Sequence, residues 1–307
     1  MNRLTEELLS LISDYRPGGE FTGAYNIRED GGCAGRQSSE NILITPKLGK
    51  PGIDILVKPG TKGETVYIPA CVTHSGVDDL VYNDFVIGEN AEVTIVAGCG
   101  VHTEGEEESR HNGIHHFRLE RGARVLYLEK HIGIGMGSGA RRIDPVTRIE
   151  LGPDAYMEMD TTQIGGVDTT ERATEAAVGE GAKLLIREKL LTEGEQTAHT
   201  DFKVMLDGED SRADVVSRSV AKGQSSQSFR SVMCGNSRCA GHSECDAILM
   251  DGASVSAIPE LSANHLDAAL IHEAAIGKIA GEQLIKLMTL GLSEQQAEEK
   301  IIDGFLK

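Results

Sequence analysis

Cys234, Cys239, His242 and Cys245 fall within twelve residues of one another. Thiolate and imidazole together suit zinc, iron or an iron–sulfur cluster, because soft sulfur ligands select those metals over magnesium or calcium. The spacing C-x4-C-x2-H-x2-C supplies the donors of a structural zinc site, though it follows no standard finger order. The run after Cys245, Asp246-Ala-Ile-Leu-Met, reads as a strand entering an apolar interior. A reactive group is therefore expected at the mouth of a packed element. The plainer readings are a small buried hydrophobe for Cys245 and incidental thiols in an exposed loop for Cys234 and Cys239.

Upstream, Cys71-Val-Thr-His74 and Cys99-Gly-Val-His102 share a C-x2-H spacing and start 28 positions apart. In a repetitive chain such pairs are expected to stack on adjacent coils, either as a by-product of the repeat or as a metal site. His111, His115, His116 and His131 follow. No Walker A sequence is present, so any ATPase activity belongs to a partner. The glycine-dense run from Gly133 to Gly139 follows a strand pattern and opens no helix, which argues against a phosphate loop. No Ser/His/Asp arrangement carries a local signature.

The elements that position these groups are read from composition and period. The 307 residues carry a formal charge of −18, which opposes nonspecific binding to nucleic acid or to an anionic membrane. No signal-peptide pattern or membrane-length apolar run is present, and the six cysteines in a chain of this size fit a cytoplasmic setting. Glycine is abundant at 36, while Trp is absent and Phe and Tyr number six each. That balance points to repeated turns with thin aliphatic strands.

A short unit recurs, a Gly, Asn or Asp followed by Ala and then alternating apolar positions. It appears at Asn90-Ala91, Gly122-Ala123, Asp154-Ala155 and Gly181-Ala182, and more weakly at Ala213 and Asp246-Ala247. The steps lie near about 31 residues, and a fixed long period with period-two alternation predicts stacked coils. A parallel β-helix or similar solenoid fits best, with a β-sandwich as the alternative. Three segments follow: an N-terminal helical segment over 1–20, a β-helix core over 21–270 and a C-terminal helical segment over 271–307. Within the last, helices are predicted from Lys278 to Leu290 and from Ser293 to Phe305. Gly291 serves as a C-cap, and Ser293 with Gln296 as a capping box. Leu284, Leu287, Met288, Ile301 and Phe305 recur at helical spacing, giving a stripe that packs on the solenoid, on a partner, or on both.

Gly223-Gln-Ser-Ser-Gln-Ser-Phe-Arg-Ser, Gly241-His-Ser-Glu-Cys-Asp-Ala-Ile-Leu-Met, Ile271-His-Glu-Ala-Ala-Ile-Gly-Lys-Ile and Gly291-Leu-Ser-Glu-Gln-Gln-Ala occur in that order. With Glu282-Gln-Leu and Asp303-Gly-Phe-Leu they closely resemble the SufB/SufD family of iron–sulfur cluster assembly proteins. The match is specific over 210–307 and looser back to about residue 70. The resemblance implies a right-handed β-helix core with helical ends. It also implies a scaffold that works with a SufC-type ATPase docked on the C-terminal helices, and with itself or another SufB/SufD-type chain as a dimer. A sulfur donor protein is a further expected partner.

By the same resemblance, Cys245 stands where SufB carries the cysteine implicated in building the cluster. His272 stands at a histidine shared near the subunit interface, and Glu273 at the neighbouring SufB carboxylate. These marks bring the chain closer to SufB, although the long N-terminal, cysteine-rich region of SufB has no counterpart here. A thiolate, an imidazole and a carboxylate make an incomplete shell, suited to a transient cluster that a second subunit completes. In a regular strand His272 and Glu273 point to opposite faces, and only a bend or bulge lets both face Cys245. The alternative function is a zinc-stabilised solenoid binding protein or metalloenzyme using Cys234, Cys239 and His242 with Cys245.

Overall fold

The turns at four coil junctions repeat one local geometry. Asn90, Asp154 and Asp210 adopt φ of 55°, 58° and 58°, and Gly122 adopts 64°. Glycine takes this left-handed region without a Cβ clash, and Asn and Asp tolerate it. A small, fully enclosed residue follows each: Ala91, Ala155, Ser211 and Ala123. Its N–H donates to the carbonyl three residues back, as Ala123 does to Glu120 at 3.1 Å, closing a β-turn. Expected repeat positions 213 and 247 miss this column. Register places Ser211 after Ala182, and Cys239 after Ser211, whereas Ala213 pairs with Leu184 and Ala247 with Ser219. Any small side chain serves beneath the coil above, so Ser and Cys replace Ala and blur the signal.

The computed structural model describes residues 2–13, 15–16, 18–19 and 21–307. Met1, Asp14, Pro17 and Glu20, within the expected N-terminal segment, lie outside the described residues. Helix α1 (Arg3–Ile12) precedes two antiparallel hairpins, β1 (Ala24–Glu29) with β2 (Gly32–Gln37) and β3 (Ile42–Pro46) with β4 (Gly52–Val57). The chain then winds as a parallel solenoid. Its first coils are β5 (Lys62–Val72), β6 (Asp78–Ile87), β7 (Glu92–His102), β8 (Ser109–Leu119) and β9 (Arg124–Ile134). Next come β10 (Arg141–Ile143) and β11 (Val146–Leu151), then β12 (Tyr156–Ile164), β13 (Thr169–Val178) and β14 (Lys183–Thr192). The last coils are β15 (Thr197–Leu206), β16 (Arg212–Ala221), β17 (Ser226–Gly235), β18 (Cys239–Leu249), β19 (Ser254–Ala263) and β20 (Ala268–Gly277).

Each coil gives one strand to each of two sheets. The first runs β2-β1-β5-β7-β9-β12-β14-β16-β18-β20, and the second runs from β19 through the odd strands β17, β15 and β13 to β10, β8, β6, β4 and β3. Strands β10 and β11 share one place between β8 and β13, divided at Asp144-Pro145, where proline lacks an N–H for the ladder. From β5 to β20 every described pairing is parallel, as the repeat predicts. Between the sheets lies a continuous apolar core, in which Phe85 stacks on Phe117 at 4.2 Å.

Helices cover the outer face of the first sheet. Leu8, Leu9 and Ile12 of α1 pack on Ile27 and Cys71. Gly98 makes this approach possible, since a Cβ there would lie 2.6 Å from the Cβ of Ile12. At the other end α2 (Gly281–Thr289) and α3 (Glu294–Phe305) follow β20, with the Ser293–Gln296 capping box formed. Ile302, Leu306 and Phe305 pack on Val220, Leu191 and Ile248. Helix α2 buries no residue fully and leaves Ile285 and Met288 exposed, as is Leu290 at its C-cap. The stripe expected over both helices thus divides: Phe305 is committed to the solenoid, and the free apolar surface belongs to α2. The strand pattern also runs through residue 277, so the expected boundary at 270/271 falls inside β20 and places His272 and Glu273 on the last coil.

Candidate functional site

Cys245 sits at the middle of β18, where alternate residues face the interior. Cys239, Gly241, Ser243, Cys245 and Ala247 point inward, and His242, Glu244 and Asp246 point outward. The next strand, β20, keeps the phase without a bulge: Ser243 pairs with His272, Glu244 with Glu273, and Cys245 with Ala274. His272 therefore shares the inner face with Cys245, two positions along the neighbouring strand. A strand spacing near 4.8 Å and a rise near 3.3 Å put their Cα atoms about 8 Å apart. Glu273 faces the opposite way and does not join them.

Cys245 is 1% exposed, and burial, with Glu188 and Asp246 adding to it, pushes its thiol up to about 12. At neutral pH it is a thiol, so metal binding requires something to take its proton. His272 Nδ1 is buried with no hydrogen-bond partner among the described residues. An unpartnered imidazole nitrogen on the same inner face is a group able to accept a proton or to ligate a metal.

The solenoid ends uncovered just beyond this pair. Leu261 continues the interior column of Met233, and Ile276 that of Ala247. Met233 and Ala247 are sealed, whereas Leu261 and Ile276 are each 40% exposed. Strands β19 and β20 are the edges of their sheets. Pro259 interrupts the donors of β19, while β20 contains no proline.

Cys245 also belongs to an axial row that the sequence pattern did not disclose. Ala97, Glu129, Thr161, Glu188, Ser217 and Cys245 follow one another in register across β7, β9, β12, β14, β16 and β18. Arg172 of β13 enters from the second sheet and donates to Glu129 at 2.7 Å, with its Nε 3.7 Å from Glu188. Burial is the largest influence and opposes ionisation of Glu129, but Arg172, His131 and His115 together outweigh it and hold that carboxyl well below its usual range. Glu188 is pushed up by burial and accepts a hydrogen bond from Ser217 at 2.7 Å. Tyr127 donates to Glu129 at 2.9 Å and lies 3.0 Å from His115. The available signal was a charged residue at inward positions of strong strand patterns, as in Val125-Leu-Tyr-Leu-Glu129-Lys-His131.

The four-residue zinc set is not brought together. Cys234 lies on β17 of the second sheet and faces outward, and Cys239 fills the turn column of β18. Cys239 and Cys245 face inward six residues apart, about 20 Å along the strand. His242 points outward between them, with Nδ1 2.8 Å from Asp214 and Nε2 3.6 Å from Glu273. The alternation of one strand separates what looked close in sequence. The two C-x2-H pairs part for a similar reason: the coil there advances 29 residues, so Ala70, not Cys71, pairs with Cys99. A one-residue offset reverses the face. Cys71 lies under α1, while Cys99 faces the interior beside His131. His74 pairs with Asp30 and His102 with Glu104.

Among the described residues no helix is long and apolar enough to cross a membrane. The profile described as SUF system FeS cluster assembly, SufBD core domain, matches residues 79–305. The chain is similar to an iron–sulfur cluster assembly SufBD family protein of Methanothermobacter thermautotrophicus, 30% identical over 264 residues, covering 83% of this chain and 62% of that protein. A SufBD family protein of Archaeoglobus fulgidus is 28% identical over 81% of this chain and 66% of its own length. One of Methanocaldococcus jannaschii is 26% identical over 88% of this chain and 86% of its own. The chain thus spans about three fifths of the first of these relatives.

Proposed function

Because the chain belongs to the SufBD family of the SUF iron–sulfur cluster assembly system, we propose that it is a scaffold on which iron and sulfide meet at the open end of the solenoid. The observation that carries this reading is the placement of Cys245 and His272 on one inner face, on the two adjacent first-sheet strands at the uncovered end. Cys245, once deprotonated, is the thiolate that ligates iron as sulfide joins it, and His272 takes its proton or donates to iron. Two ligands leave a cluster undersatisfied, which suits cargo that must be released. Glu273, turned outward, is not a ligand beside Cys245 in this chain.

A second SufB/SufD-type chain, identical or not, covers the exposed Leu261 and Ile276 and completes the ligand shell. Its edge strand adds to β20, whose backbone donors no proline interrupts. A SufC-type ATPase docks on α2 through Ile285 and Met288, supplying the nucleotide chemistry for which this sequence has no Walker A loop. A sulfur donor protein delivers sulfide. The setting is cytoplasmic.

Native mass spectrometry after anaerobic reconstitution tests this reading. The expected species is a dimer carrying iron and sulfide, with no cluster on the monomer. A stable cluster on a monomer would overturn the interface site.

A further inference from the structure

The outer face of the same two strands carries a second constellation. His242 and Glu244 project from β18 and Glu273 from β20, and one ligand atom from each lies within 4.8 Å of the others. We infer that His242, Glu244 and Glu273 form a binding site for a divalent first-row metal ion on the outer face of the first sheet, with Asp214 orienting His242. Resting on the scaffold reading, the ion is iron(II), held at the rim of the open end and apart from Cys245.

Three features of the geometry carry the assignment. Two ligands about 2.1 Å from one ion at a tetrahedral angle sit about 3.4 Å apart, and His242 Nε2 lies 3.6 Å from Glu273 Oε2. The other ring nitrogen, Nδ1, is 2.8 Å from Asp214 Oδ1 on β16. A carboxylate behind an imidazole is the arrangement that fixes the tautomer of a metal-binding histidine and leaves Nε2 as the free donor. Third, Glu244 and Glu273 are direct register partners on adjacent strands, and both face outward. Like charges placed opposite one another destabilise a sheet, and a shared dication removes that cost.

The donor set selects the class of ion. One imidazole and two carboxylates suit iron(II), manganese(II), cobalt(II) or zinc(II), whereas copper(I) favours thiolate or thioether sulfur. His242 is partly exposed and Glu273 is open to solvent, so the site can load from bulk. Cys245 follows Glu244 directly and faces the other side of the sheet, so an ion here and a cluster inside are separated by the sheet itself.

Anaerobic cobalt(II) titration of the full chain, read by optical absorption, tests the site with the metal alone. The expected result is one equivalent bound with ligand-field bands and no thiolate-to-cobalt charge transfer. Asp214→Asn should weaken binding by about 10- to 100-fold. His242→Ala should remove binding within the range titrated, Glu244→Gln should weaken it, and Cys245→Ser should leave it unchanged. The three outer-face substitutions should preserve the unfolding midpoint to within surface-mutation limits. Three outcomes overturn the inference. One is no binding, which would make Asp214, His242 and Glu273 an ion-pair ladder only; another is binding that ignores His242→Ala. The third is a thiolate band that disappears in Cys245→Ser, placing the ion inside. Cluster yield on reconstitution is read separately, so a scaffold that fails to build clusters would still report whether this site binds cobalt.

Discussion

Replacing Arg172 by Met would test whether the buried charges behind Cys245 behave as one unit. Arg172 is 4% exposed, and its two carboxylate neighbours, Glu129 and Glu188, are 3% and 4% exposed. It donates to Glu129 at 2.7 Å and lies 3.7 Å from Glu188, with His131 Nδ1 3.4 Å from Nη2. Removing one partner of a buried ion pair costs about 3–5 kcal/mol, because the remaining charge has neither water nor a counterion. The variant should therefore lose about 4 kcal/mol at neutral pH, measured by urea unfolding with circular dichroism. Without Arg172, burial raises the folded Glu129 carboxyl above the unfolded value of about 4.3 and raises the already elevated Glu188 further. A group raised in the folded state contributes stability that is present at low pH and lost as pH rises. The difference between wild type and variant should thus shrink from about pH 8 towards pH 5, by about 1.4 kcal/mol per pH unit for each carboxyl protonated only in the folded state. A penalty below about 1 kcal/mol, or one that grows with acid, would refute the reasoning.

Other outcomes follow from the same interior and its coverings. Burial pulls His115 down to about 4, so the unfolded chain binds a proton that the folded chain does not. Stability should fall by about 3 kcal/mol as pH drops from about 6.5 to 4, and His115→Gln should flatten that part of the urea-midpoint profile. Gly98→Ala places a Cβ against Ile12, which should lift α1 and cost about 1–3 kcal/mol, seen as faster amide exchange confined to residues 3–12. Ile285→Glu combined with Met288→Glu should abolish co-purification with a SufC-type ATPase while leaving the unfolding midpoint unchanged. Retained co-purification would move the docking surface off α2.

Repetition made the architecture legible, and phase hid much of the site. Asn90-Ala91, Gly122-Ala123 and Asp154-Ala155 are turn-closing pairs, so local conformational preference and the long period both mark the same coil junctions. The signal faded where Ser211 and Cys239 took the small-residue column, because packing there selects for size alone. The site was harder to read because neighbours in a strand alternate faces. Cys234, Cys239, His242 and Cys245 are close in sequence but are divided between two sheets, an interior and an exterior. Conversely, Glu129, Glu188 and Cys245 are far apart in sequence, yet coils of 27 to 32 residues stack them in one row. Variable coil length erases that register from any fixed-period reading. It also explains why Cys71 and Cys99, one residue out of step, face opposite ways.

The central claim is that the cluster forms on Cys245, and anaerobic reconstitution of the Cys245→Ser protein tests it most directly. Iron and acid-labile sulfide should fall to background, with circular dichroism and the unfolding midpoint as in wild type. His272→Ala should reduce cluster retention, and Cys234→Ser, on the outer face of the other sheet, should have no effect. A normal yield of iron and sulfide in Cys245→Ser would contradict the account.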